Sequence, residues 1–415
     1  MKHRLTPLLA ALALACGFAG ASATAWSAPL TLEAAIDLAL RANPTLRAAG
    51  SEVAAQEGAL TQAGALPNPE LELLREGEGE GSSSRTTTAT LNIPIELGGK
   101  RAARVEAARQ EGKLAAIALQ AEQARVRADT AAAFHDVVAA QERERMAREL
   151  VALAGRALAA ARKRVEAGTL SPVEATRARV AQGSARIEAL QAARDLEGAR
   201  IRLAALWAGD ARQLDVIAPQ AAALPLAPPL DQLLARLDQS PAMRHARAQV
   251  DQREALARLE RARRTPDVNV IVGAQREGPD TRNRAVLGLS VPLPLFNRND
   301  GAVLDALRRV DKARDQQDAE GARLRAELAQ AHARLGTALA ECALISAEIL
   351  PGAQDAERAA NRGFELGKFG LIDVLDAQRV LAQSKNQYLS AVAESHRAAA
   401  DIARLLGHAD VQEKP

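Results

Sequence analysis

Aromatic side chains are scarce, with five Phe, two Trp and one Tyr in 415 residues. A broad globular core draws much of its bulk from such rings. The 48% hydrophobic content therefore rests on Ala and Leu, which suit close helix–helix packing. Cysteine is scarcer still, at two residues. One of them, Cys16, falls in a segment read below as a leader, which excludes an internal disulfide in the processed chain. The other, Cys342, sits in an Ala-rich helical stretch as a small core residue. No block of one charge sign exists: 54 basic and 51 acidic residues are interleaved, the pattern of long solvated helix faces. A basic patch with interleaved aromatics is missing too, which excludes nucleic acid as a partner. Beyond the leader no unbroken run of 18 apolar residues occurs, so no membrane-spanning helix is expected. A chain of this kind enters a bilayer with strands or not at all.

Catalytic signatures are also lacking. There is no Cys-x-x-Cys, nucleophile elbow, Walker loop or dinucleotide fingerprint. Gly98-Gly99-Lys100 has no Ser or Thr after the Lys, and the acids of Gly77–Gly81 would repel phosphate. Six histidines (His3, His135, His245, His332, His396, His408) show no metal-ligand spacing, and His135-Asp136 points to two helix faces. These absences lead to the expectation of no enzyme activity, no cofactor and no bound metal.

What is present begins with a secretion signal over residues 1–25. Lys2, His3 and Arg4 precede an apolar run from Leu8 to Phe18, and Ala21-Ser22-Ala23 or Ala23-Thr24-Ala25 offers cleavage. A rival reading takes Cys16 as a lipidation site, although Ala13 stands where such a site prefers Leu. Loss of the leader removes Lys2 and Arg4, leaving the chain close to neutral.

The chain then repeats itself at a spacing of roughly 200 residues. Ala42-Asn43-Pro44 answers Gln239-Ser240-Pro241. Ile93-Pro94-Ile95 answers Val291-Pro292-Leu293, and Val165-Glu166-Ala167-Gly168 answers Phe364-Glu365-Leu366-Gly367. The halves span 30–208 and 230–407, with a Pro-rich linker at 209–229 and a tail at 408–415. Each half predicts a short helix, a second helix opening on Pro, a β-hairpin (about 68–97 and 266–296), a very long helix (Lys100–Ala167, Ala302–Leu366), a Gly-marked turn and a last helix. Period-two alternation marks the strands: Leu91, Ile93, Ile95, Leu97 in one half, and Val268, Val270, Val272, then Leu287 to Leu295 in the other. A helix of about 65 residues is about 100 Å long, and the last helix and second helix together nearly match it. Four strands cannot close a barrel, and a membrane tolerates no open edge. Three copies would bring twelve.

Pro94-Ile95-Glu96-Leu97-Gly98-Gly99-Lys100-Arg101 and Val291-Pro292-Leu293-Pro294-Leu295-Phe296-Asn297-Arg298-Asn299 resemble the strand-to-helix junctions of TolC-like outer-membrane efflux proteins, in their CzcC-like heavy-metal branch. Gly367 to Gln378 resembles that family's helical-hairpin tip. The resemblance covers Leu30 to Gly407. It implies a mainly α fold with a small β part, in which duplicated helical hairpins form an α-barrel and a homotrimer shares a 12-stranded β-barrel. The implied setting is the outer membrane and its lipid, with a helical tunnel in the periplasm. The implied partners are a periplasmic adaptor and an inner-membrane proton-driven pump of the resistance-nodulation-division type. The implied cargo is a divalent heavy-metal cation; an organic drug, a secreted protein or a role as a coiled-coil adaptor are the rivals.

The resemblance assigns Asp373 and Asp376 to a periplasmic gate, on one helix face. Acids in a first helical turn also favour the helix dipole. The tips Gly168, Thr169, Leu170, Ser171, Pro172 and Gly367, Lys368, Phe369, Gly370, Leu371 become adaptor contacts, and they read equally as helix-breaking turns.

Overall fold

The computed structural model describes residues 30–77, 85–214, 223–278 and 283–407. The signal segment, Cys16, part of the linker and the tail lie outside them. The first half opens on a capped helix pair. Thr31 caps α1 (Leu32–Ala42), and the Asn43 side chain accepts from Thr45 and Leu46 N–H at the head of α2 (Pro44–Gly64). Pro44 stands where its missing N–H costs nothing. The hairpin β1 (Glu70–Glu76) and β2 (Arg85–Ile95) follows, then α3 (Lys100–Glu166) and α4 (Pro172–Ala205). The second half repeats the order with α5 (Leu230–Leu237), α6 (Pro241–Ala262), β3 (Val268–Gly278), β4 (Asn283–Ser290), α7 (Asp300–Leu344), α8 (Leu350–Glu365) and α9 (Leu371–Leu406).

At 67 residues, α3 extends about 100 Å. Both α2 and α4 pack along it, and α6 and α9 join it from the second half. The seams use small residues and Leu at three- and four-residue spacing. Leu324, Leu328, Ala331, Leu335, Ala338 and Cys342 form one buried line on α7, each Leu contributing about 1.5–3 kcal/mol by burial. Burial also pushes the Cys342 thiol pKa up. Two related cores result: Phe134, Val137, Leu196 and Leu203 in the first half, Leu328, Leu335, Ile402 and Leu405 in the second.

Two expectations need correction. The second long helix is not continuous: a π turn at Ile345–Ile349 separates α7 from α8. Pro351 explains it, because a proline inside a helix offers no N–H and crowds the carbonyl four residues back. The Leu350 N–H reaches the Ile345 carbonyl, one residue further than in an α-helix. Second, β4 ends at Ser290 rather than near 296. Pro292 and Pro294 cannot donate to a ladder, so the alternation of Leu293 and Leu295 continues without a strand. Pro94 is tolerated in β2, opposite Asn269, near the strand's end.

The four strands form one antiparallel sheet in the order β1-β2-β3-β4. The helical body lies at one end of it, and the described strand ends Glu76, Arg85, Gly278 and Asn283 at the other. Among the described residues β1 and β4 are unpaired on their outer sides.

Candidate functional site

Two places concentrate the residues singled out above: the hairpin tips and the sheet with its junction to the long helices.

At the first tip Gly168 adopts φ 71° and Gly367 at the second φ 70°, a backbone that glycine enters without strain. The Gly168 N–H donates to the Val165 carbonyl and the Thr169 N–H to that of Arg164, closing α3. The Ser171 hydroxyl caps α4 by accepting from Val173 N–H, with Pro172 in the first turn. At the second tip the Lys368 and Phe369 N–H groups both donate to the Gly363 carbonyl. The Phe369 ring folds back over Gly363, where any Cβ would overlap it. Leu371 is buried with Leu158, Ala161 and Ala178 of the first hairpin, beside Leu170. The two tips therefore form one packed unit. Arg164 ties them: its guanidinium donates to the Phe364 carbonyl at 3.0 Å and stands 4.1 Å over the Phe364 ring. That tie joins residues 200 apart and was invisible in the sequence.

Asp373 and Asp376 take different tasks. The Asp373 carboxylate accepts from the Gly370 N–H at 2.8 Å and so caps α9. Asp376 pairs with Arg379 at 2.7 Å, both exposed. Asp376 also lines an open groove of about 1490 Å³ between α4, α9 and the π turn. Arg177, which stands at the matching place in the first hairpin, lines the same groove with Glu188 and Glu394.

The junction motifs have a structural meaning. Gly98 (φ 67°) and Gly99 (φ 72°) turn the chain from β2 into α3. Arg104 donates to both carboxylate oxygens of Glu96 and to the Ala63 and Ala65 carbonyls at the end of α2. This pairing holds the Glu96 carboxyl below its usual pKa. Lys100 pairs with Asp267 at 2.7 Å, and Asp267 also accepts from Leu97 N–H. In the second half Asn299 (φ 61°) takes the glycine's place and donates to the Glu260 carbonyl and carboxylate. The motif residues thus bind the ends of α2, β2, β3 and α3 into one joint.

Register sorts the strands into two faces. One carries the rows Ile95/Val268, Ile93/Val270/Leu289, Leu71/Leu91/Val272/Leu287 and Leu73/Ala89/Ala274/Ala285. Its middle positions are exposed, Leu71, Leu73, Leu287 and Leu289 among them. The other carries Glu70, Glu72, Glu76, Thr86, Thr88, Thr90, Asn92, Gln275 and Glu277, with Leu74, Ile271 and Val286 as its apolar members. On β2 and β3 this second face is the less exposed one, as the inner side of a curved sheet is. An apolar outside and a polar inside is the pattern of a membrane barrel. The one aromatic near its helical end, Phe296, is fully exposed.

Two histidines that their spacing kept apart meet in the α3–α9 seam. The His135 and His396 rings stack with centroids 3.6 Å apart, while the neighbouring Asp136 and Arg397 form an ion pair at 2.7 Å. Burial depresses the pKa of His135 to about 3, with His396 beside it adding a smaller part, and that of His396 to about 4. Stacked rings point their lone pairs in parallel rather than toward a shared ion. The described residues hold no group of three or more metal-ligating side chains. One helical stretch, Asp300–Glu365, contains a window apolar enough by length and composition to cross a bilayer, with mean hydropathy 1.3; its helices pack along α9 within the bundle.

The outer membrane efflux protein family matches residues 35–209 and 233–408, one span in each half. The chain is 42% identical over 379 residues to the cobalt-zinc-cadmium resistance protein CzcC of Cupriavidus metallidurans, covering 91% of this chain and 90% of that protein. It is 31% identical over 294 residues to the nickel and cobalt resistance protein CnrC of the same organism, covering 69% and 66%. In fold it is similar to the outer membrane protein VceC of Vibrio cholerae, with a TM-score of 0.76, 18% identity, and 91% and 96% of the two chains covered.

Proposed function

The chain belongs to the outer membrane efflux protein family, and from that premise we propose that it is the outer-membrane duct of a tripartite system exporting divalent heavy-metal cations. It resides in the outer membrane, with its helices forming a tunnel in the periplasm. The sheet carries the reading: apolar rows on one face, carboxylates and hydroxyls on the other, and two unpaired edges. A four-stranded sheet exposes those edges to lipid at a cost of several kcal/mol per unsatisfied group. Three copies pair every edge and make a barrel of twelve strands. Its inner wall then gathers Glu70, Glu72 and Glu76 from each subunit, with Glu277 paired to Arg284, a surface whose net negative charge favours cations.

Metal as cargo is supported by the relatives, which are resistance proteins for cobalt, zinc, cadmium and nickel. The energy for export comes from an inner-membrane proton-driven pump of the resistance-nodulation-division type, reached through a periplasmic adaptor. We place the adaptor contact on the joined tips, Gly168–Pro172 and Gly367–Gly370, where Phe369 is exposed beside Leu366; Leu371, buried between the hairpins, holds the tips together instead of meeting a partner. We place the gate at Asp376, facing the groove, with Asp373 holding the turn that presents it. Both halves of the chain act as scaffold for this duct, joined by the linker at 209–229.

A strain deleted for this protein is expected to lose tolerance to zinc, cobalt and cadmium and to regain it with the full chain. Unchanged metal tolerance together with new sensitivity to organic drugs would contradict the metal assignment.

A further inference from the structure

We propose that the outward rim of the sheet binds the phosphate groups of a phosphorylated glycolipid in the outer leaflet, through Arg75, Arg85 and Arg276. The proposal rests on the reading that the apolar face meets lipid.

The register carries it. Arg75 and Arg276 lie in one row with Thr87 and Asn283, the row directly beyond Leu73/Ala89/Ala274/Ala285. Arg85 pairs with Gly278 one row further, on the same face. Side chains alternate faces along a strand, so all three arginines share the apolar face, and all three are exposed. Every carboxylate of the described strands, Glu70, Glu72, Glu76 and Glu277, falls on the opposite face. The one strand arginine on that inner face, Arg284, is paired with Glu277 at 2.9 Å. Among the described strand residues charge is thus sorted by face: net positive toward lipid, net negative toward the lumen.

Charge is also sorted by end. At the helical end the outward rows close on Ile95, Val268 and Leu289, and the charges there satisfy one another as Lys100–Asp267 and Arg104–Glu96. Among the described strand residues the arginines stand only at the far end of the sheet, away from the periplasmic helices. Spacing suits a multiply phosphorylated headgroup. Arg85 and Arg276 are diagonal neighbours on paired strands, roughly 7–8 Å apart. Arg75 sits two strands from Arg276, roughly 10 Å away. Arginine stems can lie along Leu73 and Ala274 while their forks meet phosphate oxygens two at a time. Free inorganic phosphate lacks the acyl chains that would lie on the leucine rows, so the site selects phosphate carried by a lipid.

Native mass spectrometry of the full-chain assembly, titrated with bis-phosphorylated lipid A, tests this. The same lipid stripped of both phosphates serves as the control. The wild type should retain the phosphorylated lipid about thirtyfold better than the stripped one or more, as two or three arginines near an anionic surface supply. R85Q/R276Q should lose that preference and R85K/R276K should keep most of it, with excess inorganic phosphate displacing nothing. Equal retention of both lipids, undiminished preference in R85Q/R276Q, or displacement by inorganic phosphate would overturn the proposal. If the double variant fails to assemble, R276Q alone is read, and an undiminished preference there overturns it too. Conductance of each assembly in phosphatidylcholine bilayers is the separate control: a wild type that does not conduct would sink the channel reading, whatever lipid it holds.

Discussion

The stacked histidines illustrate how far a buried residue departs from its sequence neighbourhood. His135 and His396 titrate near 3 and 4 because burial opposes their charge, whereas an unfolded chain titrates them near 6.5. Between those values the unfolded state binds protons that the folded state does not, so stability falls as pH drops below about 6.5. Each histidine contributes up to about 1.4 kcal/mol per pH unit in that window. His396→Phe keeps a flat ring in the seam and removes one of the two depressed histidines, while His135 stays buried, so it should roughly halve the fall of the melting midpoint between about pH 6 and 4.5. An unchanged slope would show that other groups set the acid sensitivity. The gate pair separates in the same residue-by-residue way. Asp373→Ala removes a helix cap and should cost about 1 kcal/mol of stability, with little change in ion selectivity. Asp376→Ala should leave the melting midpoint within about 0.5 kcal/mol, as for an exposed pair, and raise conductance while weakening cation preference in planar bilayers. The reverse assignment of effects would contradict the gate. That Asp373 and Asp376 share a helix was plain from their spacing. That one is spent on the turn was open until the Gly370 N–H was seen to point at it.

Among elements, the β2–α3 joint sets the sharpest demand on particular residues. Gly98 and Gly99 both have positive φ, but their surroundings differ: a Cβ on Gly98 would stand 2.5 Å from Thr265, and one on Gly99 meets nothing. Gly99→Ala should therefore cost only the left-handed backbone strain, about 1–2 kcal/mol. Gly98→Ala must also displace Thr265 and should lower the melting midpoint further, with partial rescue by Thr265→Gly. Equal losses for the two alanines would show that the joint is loose. Helix starts were legible before the structure, since Pro44, Pro172 and Pro241 announce the first turn and the residue before each supplies the cap. Two features were not. The end of β4 was hidden because Leu293 and Leu295 keep the alternation while Pro292 and Pro294 forbid the ladder. The π turn was hidden because a single Pro351 in a long apolar-periodic stretch permits a kink, a break or a shifted hydrogen bond.

For the whole molecule, duplication explains the architecture: each half supplies two strands and one helical hairpin, and neither can close a wall alone. The repeat was readable from paired motifs at a fixed spacing. Its consequences in space were less so, because the contacts that join the halves, Arg164 with Phe364 and β2 with β3, span about two hundred residues and leave no local pattern. The sheet's division into an apolar and an acidic face needed the register, since β1 alternates too weakly to be assigned by itself. Its two free edges make the central claim one of number: the sheet is complete only when three chains share it. The mass of the full-chain assembly, released intact from detergent, measures that number directly. The account predicts three copies per particle, giving twelve strands; a stable single chain, or a pair closing eight strands, would contradict it.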